Sequence, residues 1–176
     1  RSMETGIYEK RGVTPTISPS MDIQVSSNFE RLIYELYDED GSAVSQVMDE
    51  LAETGRFQLS QGALTRLREG FDSAMADGAA SMRMIARVCR EGGPVLDPHT
   101  AVGVIAAEAR RGDPSVPMIT LGTAHAAKFP DAVEDACGTR PALPARMTDL
   151  YERDERVVTV LNDLAAVEAL IRERRA

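Results

Sequence analysis

The residue types able to do chemistry gather in three short stretches of this 176-residue chain. In the first, Gly122-Thr123-Ala124-His125, a hydroxyl and an imidazole follow an apolar run, and the Lys128 ammonium comes just after. Ligands in open α/β sheets bind beyond the carboxyl ends of strands. Glycine also lets a backbone approach a ligand closely. The same stretch also reads as an ordinary turn in which Thr123 caps the next helix. The second stretch, Ser26-Ser27-Asn28, precedes an apolar periodic run. A helix N-terminus with free N–H groups can hold a phosphate or carboxylate. Capping explains it too, because Ser27 and Glu30 have the spacing of a capping box. The third, Asp97-Pro98-His99-Thr100, is an N-cap signature before it is a site, with Pro98 suited to the first helical position.

Metal and redox frameworks find little support. Cys89 and Cys137 lie far apart in sequence, and His99 and His125 cannot make a metal site without distant help. Cysteines without framework spacing fit a reducing compartment, so a cytoplasmic location is expected. No apolar run approaches a membrane span, and no secretory leader is legible. The net charge of −8 argues against nucleic-acid binding, which usually shows a basic face. The basic residues Arg110, Arg111 and Arg172 to Arg175 fall at the ends of expected helices, where cations complement the dipole.

Several helices must position these residues. Residues 7–25 read as extended or loop, since Pro15 and Pro19 exclude a helix interior. A helix is expected from Ser27 to about Asp38, with Phe29, Leu32, Ile33 and Leu36 on one face. A second runs over about 42–53, with Val44, Val47, Met48 and Leu51 inward and Gly55 as its stop. Residues 61–76 read as helical with a possible break at Gly70, and 79–90 carry Met82, Ile85, Val88 and Cys89 on one side. The helix from Asp97-Pro98 to Gly112 presents Val102, Ile105 and Ala109.

The pattern then changes. Met118-Ile119-Thr120-Leu121 reads as a short buried strand, followed by the 122–125 loop and a helix over about 126–136 that Gly138 ends. Val157 to Leu161 reads as a second strand. Asn162 or Asp163 caps a last helix with Leu164, Val167, Leu170 and Ile171 inward. Two short strands make no stable sheet by themselves, so they are expected to join strands supplied by something else. The opening on Arg1 rather than Met fits a processed N-terminus, a tag scar or a chain cut from a longer protein, and the unpartnered strands support the last. The residues alone give an acidic, helix-rich α/β fragment with candidate loops and no reaction.

Four stretches go further. Ser18-Pro19-Ser20-Met21-Asp22-Ile23-Gln24-Val25-Ser26-Ser27-Asn28-Phe29-Glu30-Arg31 resembles the long signature of bacterial and fungal threonine synthases. Leu121 to Pro130 is similar to the family's T-A-H-P-A-K-F-P stretch, with Ala126 where the family usually has proline. Asp97 to Gly103 and the Thr5-Gly6-x-Tyr8 element also fit, in the family's order and spacing. The resemblance spans nearly the whole chain and implies the C-terminal segment, residues 1–176, of a fold type II pyridoxal-phosphate enzyme: α/β, mostly helical with two or three strands. It implies conversion of O-phosphohomoserine and water to threonine and phosphate. The Schiff-base lysine and glycine-rich phosphate loop are expected upstream, in an N-terminal part of the same chain that acts as its partner. No catalytic residue is then expected in this segment, which alone should be inactive. Lys128 belongs to the T-A-H motif and is not the cofactor lysine. By the same resemblance Thr123 meets the cofactor, while Ser26, Ser27, Asn28, His125 and Lys128 bind substrate. A stand-alone helical interaction or regulatory module, and a relative with another pyridoxal-phosphate substrate, remain as alternatives.

Overall fold

The computed structural model describes residues 2–175. It divides into two compact units, one ending at Ala142 and one beginning at Leu143. In the first unit, α1 (Ser2–Thr5) leads into β1 (Ile7–Glu9), and a long irregular stretch with a 3-10 turn at Pro19–Met21 reaches α2 (Phe29–Leu36). Next come α3 (Gly41–Thr54), β2 (Arg56–Gln58), α4 (Gln61–Gly70), α5 (Gly78–Arg90), α6 (Pro98–Arg110), a 3-10 turn at Ala126–Lys128 and α7 (Pro130–Cys137). The second unit holds two further 3-10 turns and α8 (Leu164–Arg175). The segment is thus mostly helical with two strands.

Those strands are not the expected ones. β1 and β2 pair antiparallel, with Tyr8 opposite Phe57. Three residues each, they are too short to show a period in sequence. Residues 118–121 and 157–161 take no regular secondary structure and join no ladder. Ile119 and Leu121 are 80% and 76% exposed, and Val157 and Leu161 are each 77% exposed. A strand is defined by the partner that takes its N–H and C=O groups, and among the described residues these two segments have none.

Two clusters form the core of the first unit. Ile33 and Leu36 of α2, Val44, Val47 and Leu51 of α3, and Ala63, Leu64 and Leu67 of α4 pack with Phe57 and Leu59. This matches the stripes read from the spacing of α2 and α3. Tyr8 stacks between Phe29 and Phe57, with ring centroids 5.5 Å and 5.3 Å apart, so the strand pair is fastened to α2 by aromatic contact. The second cluster joins Met84 and Ile85 of α5 to Leu96 and Ala101, with Val88, Val104, Ile105, Ala136 and Cys137 against it.

Boundaries differ from expectation where backbone chemistry intervenes. α2 begins at Phe29, not Ser27, because residues 26–28 form a turn in which Phe29 N–H donates to Ser26 O and Glu30 N–H to Ser27 O. The capping box does not form, and Asn28 at the cap position is itself helical in φ and ψ with no side-chain cap bond. α4 stops at Gly70, and Phe71 turns extended. The expected 126–136 helix is split. Phe129 leaves helical geometry because Pro130 follows it, and residues before proline are pushed out of the α region. α6 buries Pro98, Thr100 and Ala101, while Ala109 is exposed and Val102 faces a groove. In α8, capped by Asp163 accepting from Ala166 N–H at 2.9 Å, no residue is buried, against the expected inward stripe. Gly55 and Gly138 end α3 and α7 in the left-handed conformation, as their positions suggest.

Candidate functional site

The site grows from the start of α6. Asp97 is extended and fully buried, at the point where the first helical N–H groups lack intrahelical partners and Pro98 has no N–H to satisfy. Asp97 Oδ1 accepts from His99 N–H at 2.9 Å, and the carboxylate also accepts from Thr100 N–H at 3.4 Å. Capping alone would use no more than these. Here the carboxylate holds two side chains as well. Oδ1 lies 3.1 Å from His99 Nδ1, and Oδ2 accepts from the Thr100 hydroxyl.

Each of these side chains reaches a different loop. His99 Nε2 accepts from Ser20 N–H at 3.2 Å. An accepting Nε2 carries no proton, so the ring is neutral with its hydrogen on Nδ1, pointing at Asp97. The Thr100 hydroxyl, its hydrogen directed at Asp97, accepts from Thr123 N–H at 3.0 Å. One buried carboxylate thus ties the Ser18–Arg31 stretch to the Thr123 loop. The His99 ring also packs on Phe129, centroids 4.7 Å apart, and Lys128 Nζ sits 5.8 Å from that phenyl ring.

Beside this network runs a groove of about 580 Å³ between α6 and residues 119–123, lined by His99, Val102, Gly103 and Thr123 among others, with Met21 at one end. Gly103 lets the chain pass close: a Cβ there would stand 3.2 Å from Thr120 Cγ2, so an alanine would ask that methyl group to give by a few tenths of an ångström. Thr123 is exposed at the groove, its backbone N–H is held by Thr100, and its hydroxyl has no partner among the described residues.

The other expected site residues are distributed. Ser26 and Asn28 line a separate concavity of about 400 Å³ with Phe29, Leu32, Glu35 and Phe71. Tyr8 fixes the approach to it: its hydroxyl donates to Gln24 O at 3.3 Å and accepts from Ser26 N–H at 2.7 Å. Asn28 Oδ1 accepts from Arg31 Nη2 at 2.6 Å. The hydroxyls of Ser26 and Ser27 engage no partner among the described residues. His125 caps the 3-10 turn, its Nδ1 accepting from Ala127 N–H at 3.1 Å, which leaves Nε2–H on an exposed ring free to donate. Lys128 is exposed on the same turn. The structure therefore brings Thr123 together with His99, and sets Ser26 and Asn28 in a concavity of their own.

Sequence reasoning stopped short of Asp97 as a hub and of Tyr8 as an anchor. For Asp97 the available signal was the two donor side chains, His99 and Thr100, placed two and three residues after the cap. For Tyr8 it was membership of the Thr5-Gly6-x-Tyr8 element. Among the described residues no group of three His, Cys, Asp or Glu side chains could hold a metal ion, and no helix is long and apolar enough to cross a membrane.

Comparison with known proteins places this arrangement. The family model described as threonine synthase, C-terminal, matches residues 100–171. The threonine synthase of Pseudomonas aeruginosa is 46% identical over 172 residues, covering 97% of this chain and 37% of that protein. The crystal structure of threonine synthase from Brucella melitensis with bound PLP superposes on all of this chain and 38% of its own, with TM-score 0.88 and 44% identity. Threonine synthase from yeast does so over 99% of this chain and 39% of its own, with TM-score 0.82 and 32% identity. The chain spans a little over a third of the length of the relatives it matches.

Proposed function

Because the chain corresponds to the C-terminal portion of threonine synthases, we propose that it forms part of an enzyme that uses pyridoxal phosphate to convert O-phosphohomoserine and water to threonine and phosphate. The observation that carries this reading is Thr123. Its N–H is fixed by a buried network, its hydroxyl is unengaged, and it stands on a groove of a size suited to a small ligand. These residues fit the ring-nitrogen end of the cofactor. Neither of the chain's two lysines, Lys10 and Lys128, lines that groove, which supports the reading that the lysine carrying the cofactor would come from an upstream part.

The bound cofactor supplies the electron sink that lets the γ-phosphate leave and water add at the β-carbon. This chain's residues orient and bind. The Thr123 hydroxyl would hold the ring nitrogen by a hydrogen bond without placing a fixed charge there. An aspartate in that position would instead favour the protonated ring, since an opposite charge stabilises the charged form. The substrate brings a phosphate and a carboxylate. The hydroxyls of Ser26 and Ser27, the Asn28 amide, the free Nε2–H of His125 and the Lys128 ammonium are donors suited to those anions.

The test is phosphate release from O-phosphohomoserine. The full-length protein, carrying this chain and the upstream part, is expected to release phosphate and form threonine in equal amounts. The isolated 176-residue chain is expected to do neither, and to retain no cofactor absorbance after dialysis. A full-length protein inert toward O-phosphohomoserine, or an isolated chain that holds the cofactor through dialysis, would overturn the reading.

A further inference from the structure

We propose that Asp97 is the hub of a two-armed clamp, in which His99 positions the substrate-binding stretch through Ser20 and Thr100 positions the cofactor-binding residue Thr123. This rests on the functional reading above. The geometry is asymmetric in a useful way. One arm ends on the backbone of the 3-10 turn at Pro19–Met21, which leads within six residues to Ser26. The other ends on the backbone of Thr123 itself. Both arms bind main-chain N–H groups, so they fix where a loop runs without touching its side chains. The Ser26 and Thr123 side chains are left for ligands.

The hub imposes the chemistry of each arm. Only an imidazole with its hydrogen on Nδ1 can accept at Nε2 from Ser20, and Asp97 Oδ1 selects that tautomer. Asp97 Oδ2, by accepting the Thr100 hydrogen, orients the hydroxyl so that a lone pair faces Thr123 N–H. The carboxylate is buried, so its own bonds to His99 and Thr100 are shielded from competing water, while the Ser20 end of the His99 arm is exposed. Phe129 adds a flat surface against His99 and restrains its ring. The substrate stretch has a second fastening at Tyr8, so losing the His99 arm should loosen residues near Ser20 without releasing the stretch altogether.

The arms separate by substitution in the full-length enzyme. A glutamine at position 99 can place its Oε1 near the Nε2 site, whereas an asparagine reaches Asp97 but falls short of Ser20. His99→Asn is expected to raise KM for O-phosphohomoserine on the order of tenfold, the effect of about one lost hydrogen bond. Because His99 also lines the groove at Thr123, the variant's cofactor affinity should fall, but less than that of Thr100→Val, and His99→Gln should recover most of the KM loss. Thr100→Val is expected to weaken cofactor binding on the order of tenfold with little change in KM, and Thr100→Ser should restore it. Hydrogen exchange of the cofactor-free protein gives a readout independent of turnover. The peptide holding Ser20 should exchange faster in His99→Asn, and the peptide holding Thr123 faster in Thr100→Val. Unchanged exchange in both peptides, or all four variants losing KM and cofactor affinity together, would overturn the clamp. A wild-type enzyme without activity on O-phosphohomoserine would sink the functional reading instead, and the exchange pattern would still judge the clamp.

Discussion

At the start of α6, Asp97 is buried and engages both backbone N–H groups and two side chains. At the start of α2, Ser26, Ser27 and Asn28 are polar residues in the same kind of position, yet none of their side chains caps the helix. In sequence the two look alike. The difference lies in what each side chain is left to do. The α6 start spends its polar atoms inside the protein, joining two loops. The α2 start closes its first turn with backbone carbonyls and leaves the hydroxyls of Ser26 and Ser27 without a partner among the described residues, Ser26 on a concavity. A helix start whose cap is vacant is the better candidate for a ligand, because binding there displaces no internal bond.

The largest expected effect is at Asp97. In the full-length protein, Asp97→Ala should lower stability by about 3 kcal/mol, since it removes a cap and leaves buried donors unmatched. Denaturant titration measures it, and a loss under about 1 kcal/mol would put Asp97 on a par with an ordinary cap.

Asn28→Ala and Ser27→Ala should act in the opposite sense. Each should cost less than about 0.5 kcal/mol, the scale of an exposed i, i+3 contact such as Asn28 with Arg31. Both should lower kcat/KM for O-phosphohomoserine. A stability loss near 1 kcal/mol with unchanged kinetics would show that these residues cap after all, erasing the contrast.

Much of this was legible in the residues, and the exceptions share a cause. The stripes of α2 and α3, the Asp97 cap, the break at Gly70 and the stops at Gly55 and Gly138 all depend on chain neighbours within a turn or two. Residues 118–121 and 157–161 read as strands because their composition is right for burial, but a strand is completed by a partner far away in sequence or outside the segment. The exposed stripe of α8 fails in the same way: periodicity marks the face to be covered, not what covers it. The α2 start was misread because a cap sequence states which bonds are available, and the carbonyls of Ser26 and Ser27 took the N–H groups first. The donors His99 and Thr100 beside Asp97 could be read, but not the loops they reach, since Ser20 and Thr123 are distant in sequence.

A smaller effect sharpens the picture of how α6's neighbours are held. Where α5 meets α7, burial together with the neighbouring Cys89 thiol, to which Cys137 is hydrogen-bonded, pushes the Cys137 thiol up to about 11 from an ordinary 9.0. The folded state then keeps a proton that the unfolded state loses, so stability should be intact below pH 9 and fall as pH rises from 9 to 11. Cys137→Ala should flatten that fall relative to wild type in denaturant titrations across this window. Parallel profiles for the two proteins would mean that the thiol titrates alike folded and unfolded.

The most direct measurement is the cofactor affinity and absorbance spectrum of the full-length protein with Thr123→Ala and Thr123→Asp, alongside turnover and the stability of the cofactor-free form. With Thr123 against the ring nitrogen, Thr123→Ala should weaken cofactor binding and slow turnover at unchanged stability. Thr123→Asp should shift the spectrum and alter the ratio of threonine to side products. Wild-type affinity, spectrum and product ratio in both variants would contradict it and leave Thr123 as no more than a turn residue.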